Sequence, residues 1–112
     1  MAGTTPTIST HVLDTETGQP ARDVPIRLGR VLSDGALVPS GSGRTDDDGR
    51  ITQLLDGDLQ AGIYRLVFEV HEYRAQCFFR EITLEFSVDD ISRSYHVPLL
   101  VAPYGVSSYR GS

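Results

Sequence analysis

Apolar and polar residues alternate one by one through most of this chain, and a period of two marks strands whose two faces meet different surroundings. In "TISTHVL" the residues Ile8, Thr10 and Val12 fall on one face and Ser9, His11 and Leu13 on the other, until the turn-rich "DTETGQP" ends the run. The pattern returns in "VPIRLGRVL" (Val24, Ile26, Leu28) and in "GIYRLVFEV" (Tyr64, Leu66, Phe68, Val70). It returns again in "EITLEFSV" (Ile82, Leu84, Phe86, Val88) and "SYHVPLLVA" (Tyr95, Val97, Leu99, Val101). These faces together predict one apolar core.

Between the strands lie "SDGA", "DDDGR", "DGDLQAG" and "APYG", rich in residues that accept positive φ or preset a bend. Only "EYRAQCFF", Glu72 to Phe79, lacks both alternation and turn residues, so one short helix is expected there. Many short strands, frequent turns and one helix predict an all-β fold: a two-sheet antiparallel β-sandwich. The length of 112 residues suits a single domain, 1–112, able to bury its core without disulfides.

The other faces carry the first hint of chemistry. On the first strand the outward set is Ser9, His11 and Leu13, and on the last long one it is Ser94, His96, Pro98 and Leu100. A solvated sheet face is mostly polar. The apolar members predict that these faces are covered, most simply by another copy of the chain, which makes His11 and His96 candidates for a site at a subunit interface. His71, beside Glu72, is accounted for by a surface ion pair.

Charge and composition remove several classes of function. Fifteen acidic residues against ten basic ones give a net charge of −5 with no basic stripe, which argues against nucleic acid as a partner. Every cation is an arginine, so Schiff-base and P-loop lysine chemistry is excluded. The lone cysteine, Cys77, has no redox or nucleophile motif around it; "AQCFF" reads as a quiet thiol half-covered by phenylalanines. With no disulfide framework, no signal-peptide pattern and no membrane-length apolar run, the expected setting is the cytoplasm.

No metal or other cofactor is expected. The three histidines lack short ligand spacings, and aligning Gly49 of "RTDDDGR" with a calcium-loop glycine puts Arg44 and Leu55 at the two essential acidic positions. A hairpin turn is the expected use of that run.

Five stretches, "STHVLDTETGQPARDVPIRL", "GRTDDDGRI", "AGIYRLVFEV", "FFREITLEFSV" and "YHVPLLVAPYGVSSYRGS", resemble the 5-hydroxyisourate hydrolase family, the transthyretin-related enzymes of urate breakdown. The resemblance spans essentially the whole chain, and its most specific part is the terminal Tyr109-Arg110-Gly111-Ser112, which hormone-carrying transthyretins lack. One departure is Arg80 in "FFRE", where the family usually has proline; it bears on loop geometry more than on activity.

The resemblance implies a transthyretin-like (prealbumin-like) sandwich, a homotetramer around a central channel, and active sites at the subunit interfaces. It implies that 5-hydroxyisourate is hydrolysed to 2-oxo-4-hydroxy-4-carboxy-5-ureidoimidazoline. Carried onto this sequence, the site comprises His11, Arg44, His96 and Tyr109 to Ser112. Either histidine is then the base for water. Arg44 and Arg110 stabilise an oxyanion or hold the flat heterocycle, Tyr109 and Gly111 bound the ring, and Ser112 orients a histidine or the water through its hydroxyl or carboxylate. Two other readings use less of the sequence. A non-catalytic transthyretin-like carrier requires an apolar channel face, and an immunoglobulin-like module leaves the outward histidines unused and lacks the Cys-Trp-Cys core.

Overall fold

The computed structural model describes residues 5–111. Nine strands and one helix follow the chain as β1 (Ile8–Asp14), β2 (Gln19–Pro20), β3 (Pro25–Val31), β4 (Leu37–Arg44), β5 (Arg50–Ile51), β6 (Gly62–Phe68), α1 (Val70–Tyr73), β7 (Ile82–Val88), β8 (Tyr95–Ala102) and β9 (Gly105–Ser108). One sheet runs β2-β1-β8-β9 with β5 also on β1, and the other runs β4-β3-β6-β7. Their facing sides form the core read from the alternation: Ile8 and Val12, Ile26 and Leu28, Tyr64, Leu66 and Phe68, Leu99 and Val101 are all buried. Leu84 and Phe86 of edge strand β7 are only partly covered.

The sandwich is antiparallel with one exception. β1 and β8 pair in parallel, from Ile8 with Tyr95 to Asp14 with Val101. Alternation carries no strand direction, so this pairing was not readable from period alone. It sets Ser9 beside His96 and His11 beside Pro98.

Two of the three buried polar side chains among the described residues, Thr10 and Asp14, belong to β1, and like Thr45 they have their hydrogen bonds made. Thr10 donates its hydroxyl to the Val97 carbonyl at 2.7 Å, tying β1 to β8 from inside. Asp14 accepts the Tyr73 hydroxyl at 2.7 Å, the turn amides of Glu16 and Thr17, and the Arg74 guanidinium. Burial raises the Asp14 pKa, but these donors outweigh it and hold the carboxyl below its usual range.

The same anchor explains why the helix differs from expectation. It covers Val70–Tyr73 rather than Glu72–Phe79, and the chain turns extended at Arg74 (φ −148, ψ 111). Val70 is buried, while Tyr73 and Arg74 are drawn onto β1 through Asp14, which leaves no room for further helical turns. Cys77 is buried, and burial pushes its thiol pKa up. Phe78 and Phe79 do not cover it, since they are 69% and 41% exposed and pack edge to face on each other.

His71 also takes a partner other than the expected Glu72. Its Nδ1 lies 2.8 Å from the Arg80 carbonyl, which accepts the His71 backbone amide as well. Among the described residues the Arg80 N–H makes no backbone hydrogen bond, so an arginine in the usual proline position leaves the loop bonding unchanged. No helix of the described residues is long and apolar enough to cross a membrane.

Candidate active site

The outward face of the β1–β8 sheet brings the candidate chemistry together. His96 is half-buried, and its Nδ1 lies 2.8 Å from the Ser9 hydroxyl on the neighbouring strand. His11, also half-buried, shares the face one step along β1. Leu13, Pro98 and Leu100 supply the apolar part of the face, and Pro98 is buried within the single chain.

The other edge of β1 contributes a residue that the sequence reading passed over. β5 pairs with β1 so that Arg50 stands opposite His11, and paired residues point to one face. The turn before it makes this placement. Asp46 accepts the amides of Asp48 and Arg50 on one carboxylate oxygen, and Gly49 adopts φ +76. Gly49 lies against β1 so closely that a Cβ would come within 2.5 Å of the Val12 carbonyl, while its own carbonyl accepts the Val12 amide at 2.7 Å. "DDDGR" is therefore a turn that crosses from one sheet to the other, not a hairpin between paired strands.

Arg44, at the near end of that turn, goes elsewhere. It ends β4 in the second sheet, opposite Pro25, and its guanidinium lies 3.6 Å from the Asp23 carboxylate and 3.4 Å from the Asp23 carbonyl. Both "GR" pairs flank one acidic run, and only the two-residue pairing of β5 on β1 separates them.

The tail adds the third side. Past β9 the chain stays in register with β8: Leu99 pairs with Ser108, and His96 bridges to Gly111, whose amide donates to the His96 carbonyl at 2.8 Å. A Cβ on Gly111 would lie 2.4 Å from His96 Cδ2, so this position has space for glycine alone beside the imidazole. Counting along the register puts Tyr109, 59% exposed, opposite Pro98 on the histidine face. Arg110 falls on the reverse side, its guanidinium carbon 4.9 Å above the Tyr95 ring. Ser112 lies outside the described residues.

Between Ser9, Arg50, Thr52, Ser94 and His96 is a recess of about 300 Å³. It continues along hydroxyl and amide groups of Thr7, Thr52 and Gln53. Burial, the Arg50 charge and His11 all lower the His96 pKa, so the imidazole is held neutral at pH values where a free histidine is partly charged. A neutral imidazole with one nitrogen fixed by a hydroxyl, beside an arginine and a second histidine, is suited to moving a proton next to a site of developing negative charge.

Known proteins share this arrangement of strands. The HIUase/Transthyretin family model matches residues 8–111. The chain belongs to that family. It is 44% identical to a 5-hydroxyisourate hydrolase of Ralstonia nicotianae, over 94% of this chain and 97% of that protein. The Klebsiella pneumoniae 5-hydroxyisourate hydrolase structure superposes with a TM-score of 0.83 at 34% identity, covering 96% of this chain and 99% of that one. Sea bream transthyretin, crystallised with thyroxine, gives a TM-score of 0.86 at 24% identity over 93% of each chain, a likeness of fold alone. Near-full-length likeness to named hydrolases puts this family member with the enzymes.

Proposed function

We propose that the protein hydrolyses 5-hydroxyisourate to 2-oxo-4-hydroxy-4-carboxy-5-ureidoimidazoline on the outward face of the β1–β8 sheet, with His96 as the base and Arg50, rather than Arg44, as the cation of the site. The observation that carries this reading is the cluster of His96, Arg50 and His11 with a lowered His96 pKa. In this mechanism His96 takes the Nδ1–H tautomer, which uses its 2.8 Å contact with Ser9 Oγ to donate and leaves Nε2 free to accept a proton from water. The hydroxide oxygen bonds to a ring carbonyl carbon, and the carbonyl electrons move to oxygen, where the Arg50 guanidinium stabilises the charge. Collapse of the adduct breaks the ring C–N bond, and the leaving nitrogen takes up a proton from an imidazolium, His96 or His11. No step requires a metal.

Gly111 lies against the His96 ring and Tyr109 shares its face, so both are assigned to holding the substrate, and Ser112, outside the described residues, is assigned the orienting role that the family resemblance implies. The half-buried Leu13 and Leu100 beside the site support a homotetramer in which this face meets another subunit and completes the site, and the lone cysteine supports action in the cytoplasm. A carrier of apolar ligands would have no use for two histidines and an arginine on that face.

The test generates 5-hydroxyisourate in place from urate and urate oxidase and follows the loss of its ultraviolet band with and without the protein. Faster decay with the wild-type chain and not with His96→Gln is the expected result. Decay at the spontaneous rate with wild-type protein overturns the reading. Sedimentation velocity gives the assembly state, four copies being expected.

A further inference from the structure

Arg110 belongs to the tail that walls the site, yet its guanidinium faces away from the histidines. The β8–β9 register that pairs Leu99 with Ser108 and His96 with Gly111 places position 110 opposite Val97, on the inward side of the sheet. There the Arg110 Cζ stands 4.9 Å over the Tyr95 ring. That ring is an unusually firm platform. Tyr95 is 6% exposed, its hydroxyl donates to the Asp90 carbonyl and accepts the Asp90 amide, both at 3.0 Å, and its backbone amide donates to Thr7. The Asp90 carboxyl is held below its usual range first by Ser92, with Arg93 and Arg110 adding their charges, so a negative group also stands near the guanidinium.

Around the stacked pair the two sheets part into an apolar cleft of about 230 Å³, lined by Leu84, Phe86, Tyr95, Val97 and Arg110 among others. On the other side of the same short segment, Gly111 touches the His96 ring. Past the end of β9 at Ser108, the backbone bond from the Gly111 amide to the His96 carbonyl is the tie of the tail to β8, and the Arg110–Tyr95 stack is its side-chain counterpart.

We propose that Arg110 is a positioning residue: its stack on Tyr95 pins the tail so that Gly111 and Tyr109 stay against His96, and it does not touch the substrate. This rests on the outward face being the site, but the anchor itself can be read without turnover. A single exposed cation–π contact corresponds to about a two- to fivefold change in an equilibrium, so the tail detaches more often without becoming permanently free.

The experiment compares Arg110→Met, Arg110→Lys and Tyr95→Leu singly, and Arg110→Met with Tyr95→Leu together. Hydrogen exchange at the Gly111 amide and steady-state kinetics in the full chain are the two readouts. Gly111 exchange is expected to speed up about two- to fivefold in Arg110→Met and to stay closer to wild type in Arg110→Lys. kcat should fall by a similar factor, with KM changed less. In the Tyr95→Leu background, Arg110→Met should add nothing further. Unchanged Gly111 exchange in Arg110→Met overturns the proposal, as does an equal loss with and without Tyr95, which would mark Arg110 as a substrate contact. If Tyr95→Leu does not fold, the Gly111 exchange of the two Arg110 variants decides alone. A wild-type chain without hydrolysis but with the exchange pattern above removes the proposed function and leaves the anchor standing.

Discussion

The two sheets turn opposite kinds of face outward, although the same alternation builds both. On the β3-β6-β7 side the outward arginines are answered by carboxylates: Arg27 meets Glu69 at 2.7 Å and Glu81 at 3.7 Å, and Arg65 grips Glu85 across the strand pair. On the β1–β8 side no carboxylate among the described residues lies at ion-pair distance from Arg50. Its charge instead falls on His96, where it adds to burial in lowering that imidazole's pKa. A surface whose charges cancel pairwise is a solvated face, whereas a cation that meets no carboxylate among the described residues and stands among half-buried histidines suits a charge that arrives with a ligand.

The strongest way to break this contrast is to remove the imidazole. His96→Gln should lower kcat/KM for 5-hydroxyisourate by about 10²- to 10⁴-fold, the usual contribution of a general base, while thermal unfolding shifts little. Loss of the fold instead of the activity would make His96 a structural residue. Gly111→Ala comes next. Its new methyl would sit 2.4 Å from His96 Cδ2, so ring or tail must move, and a loss of about 10²-fold is expected from misplacement alone. Full activity in that variant would show the tail to be indifferent to the ring beside it.

The pH profile sharpens the electrostatic half of the comparison. As the proposed base His96 must be neutral, and its pKa is lowered, so the acid limb of kcat/KM should lie below the ordinary histidine value of about 6.5. Replacing Arg50 with Gln removes one cause of the depression and should move that limb to higher pH as well as lowering the rate. A limb that stays in place would mean that Arg50 does not act on His96. The same depression links to stability: the folded state disfavours the proton, so the contribution is present above the unfolded pKa and is lost as pH falls through the lower folded value.

The smallest effect belongs to the other face. Arg65→Gln should cost less than about 1 kcal/mol in chemical denaturation, as exposed ion pairs do, and leave turnover untouched. A large loss of activity there would erase the distinction between the faces.

Much of this was readable in the chain. Parity along two strands put His11 and His96 outward, and it put Ile8, Val12, Leu99 and Val101 inward. Arg50 was not readable, because a two-residue strand has no period and its placement depends on Gly49 docking against Val12. The side that Arg110 takes was not readable for a related reason: membership of a tetrapeptide says nothing about which side of the sheet a residue faces, and only the register past Ser108 assigns it. The helix ended early because buried Asp14, a residue in β1, claims Tyr73 and Arg74.

The parallel pairing of β1 with β8 also governs when the protein can begin to work. The Ser9–His96 contact joins residues 87 positions apart, and Arg50 reaches His11 only through the same strand. During synthesis β1 must therefore wait, with one edge unoccupied, until β8 has left the ribosome; pairings this distant in sequence form slowly. Catalytic competence is accordingly among the last properties the nascent chain acquires, and a truncated product lacking β8 would keep its first histidine while having nothing to set beside it.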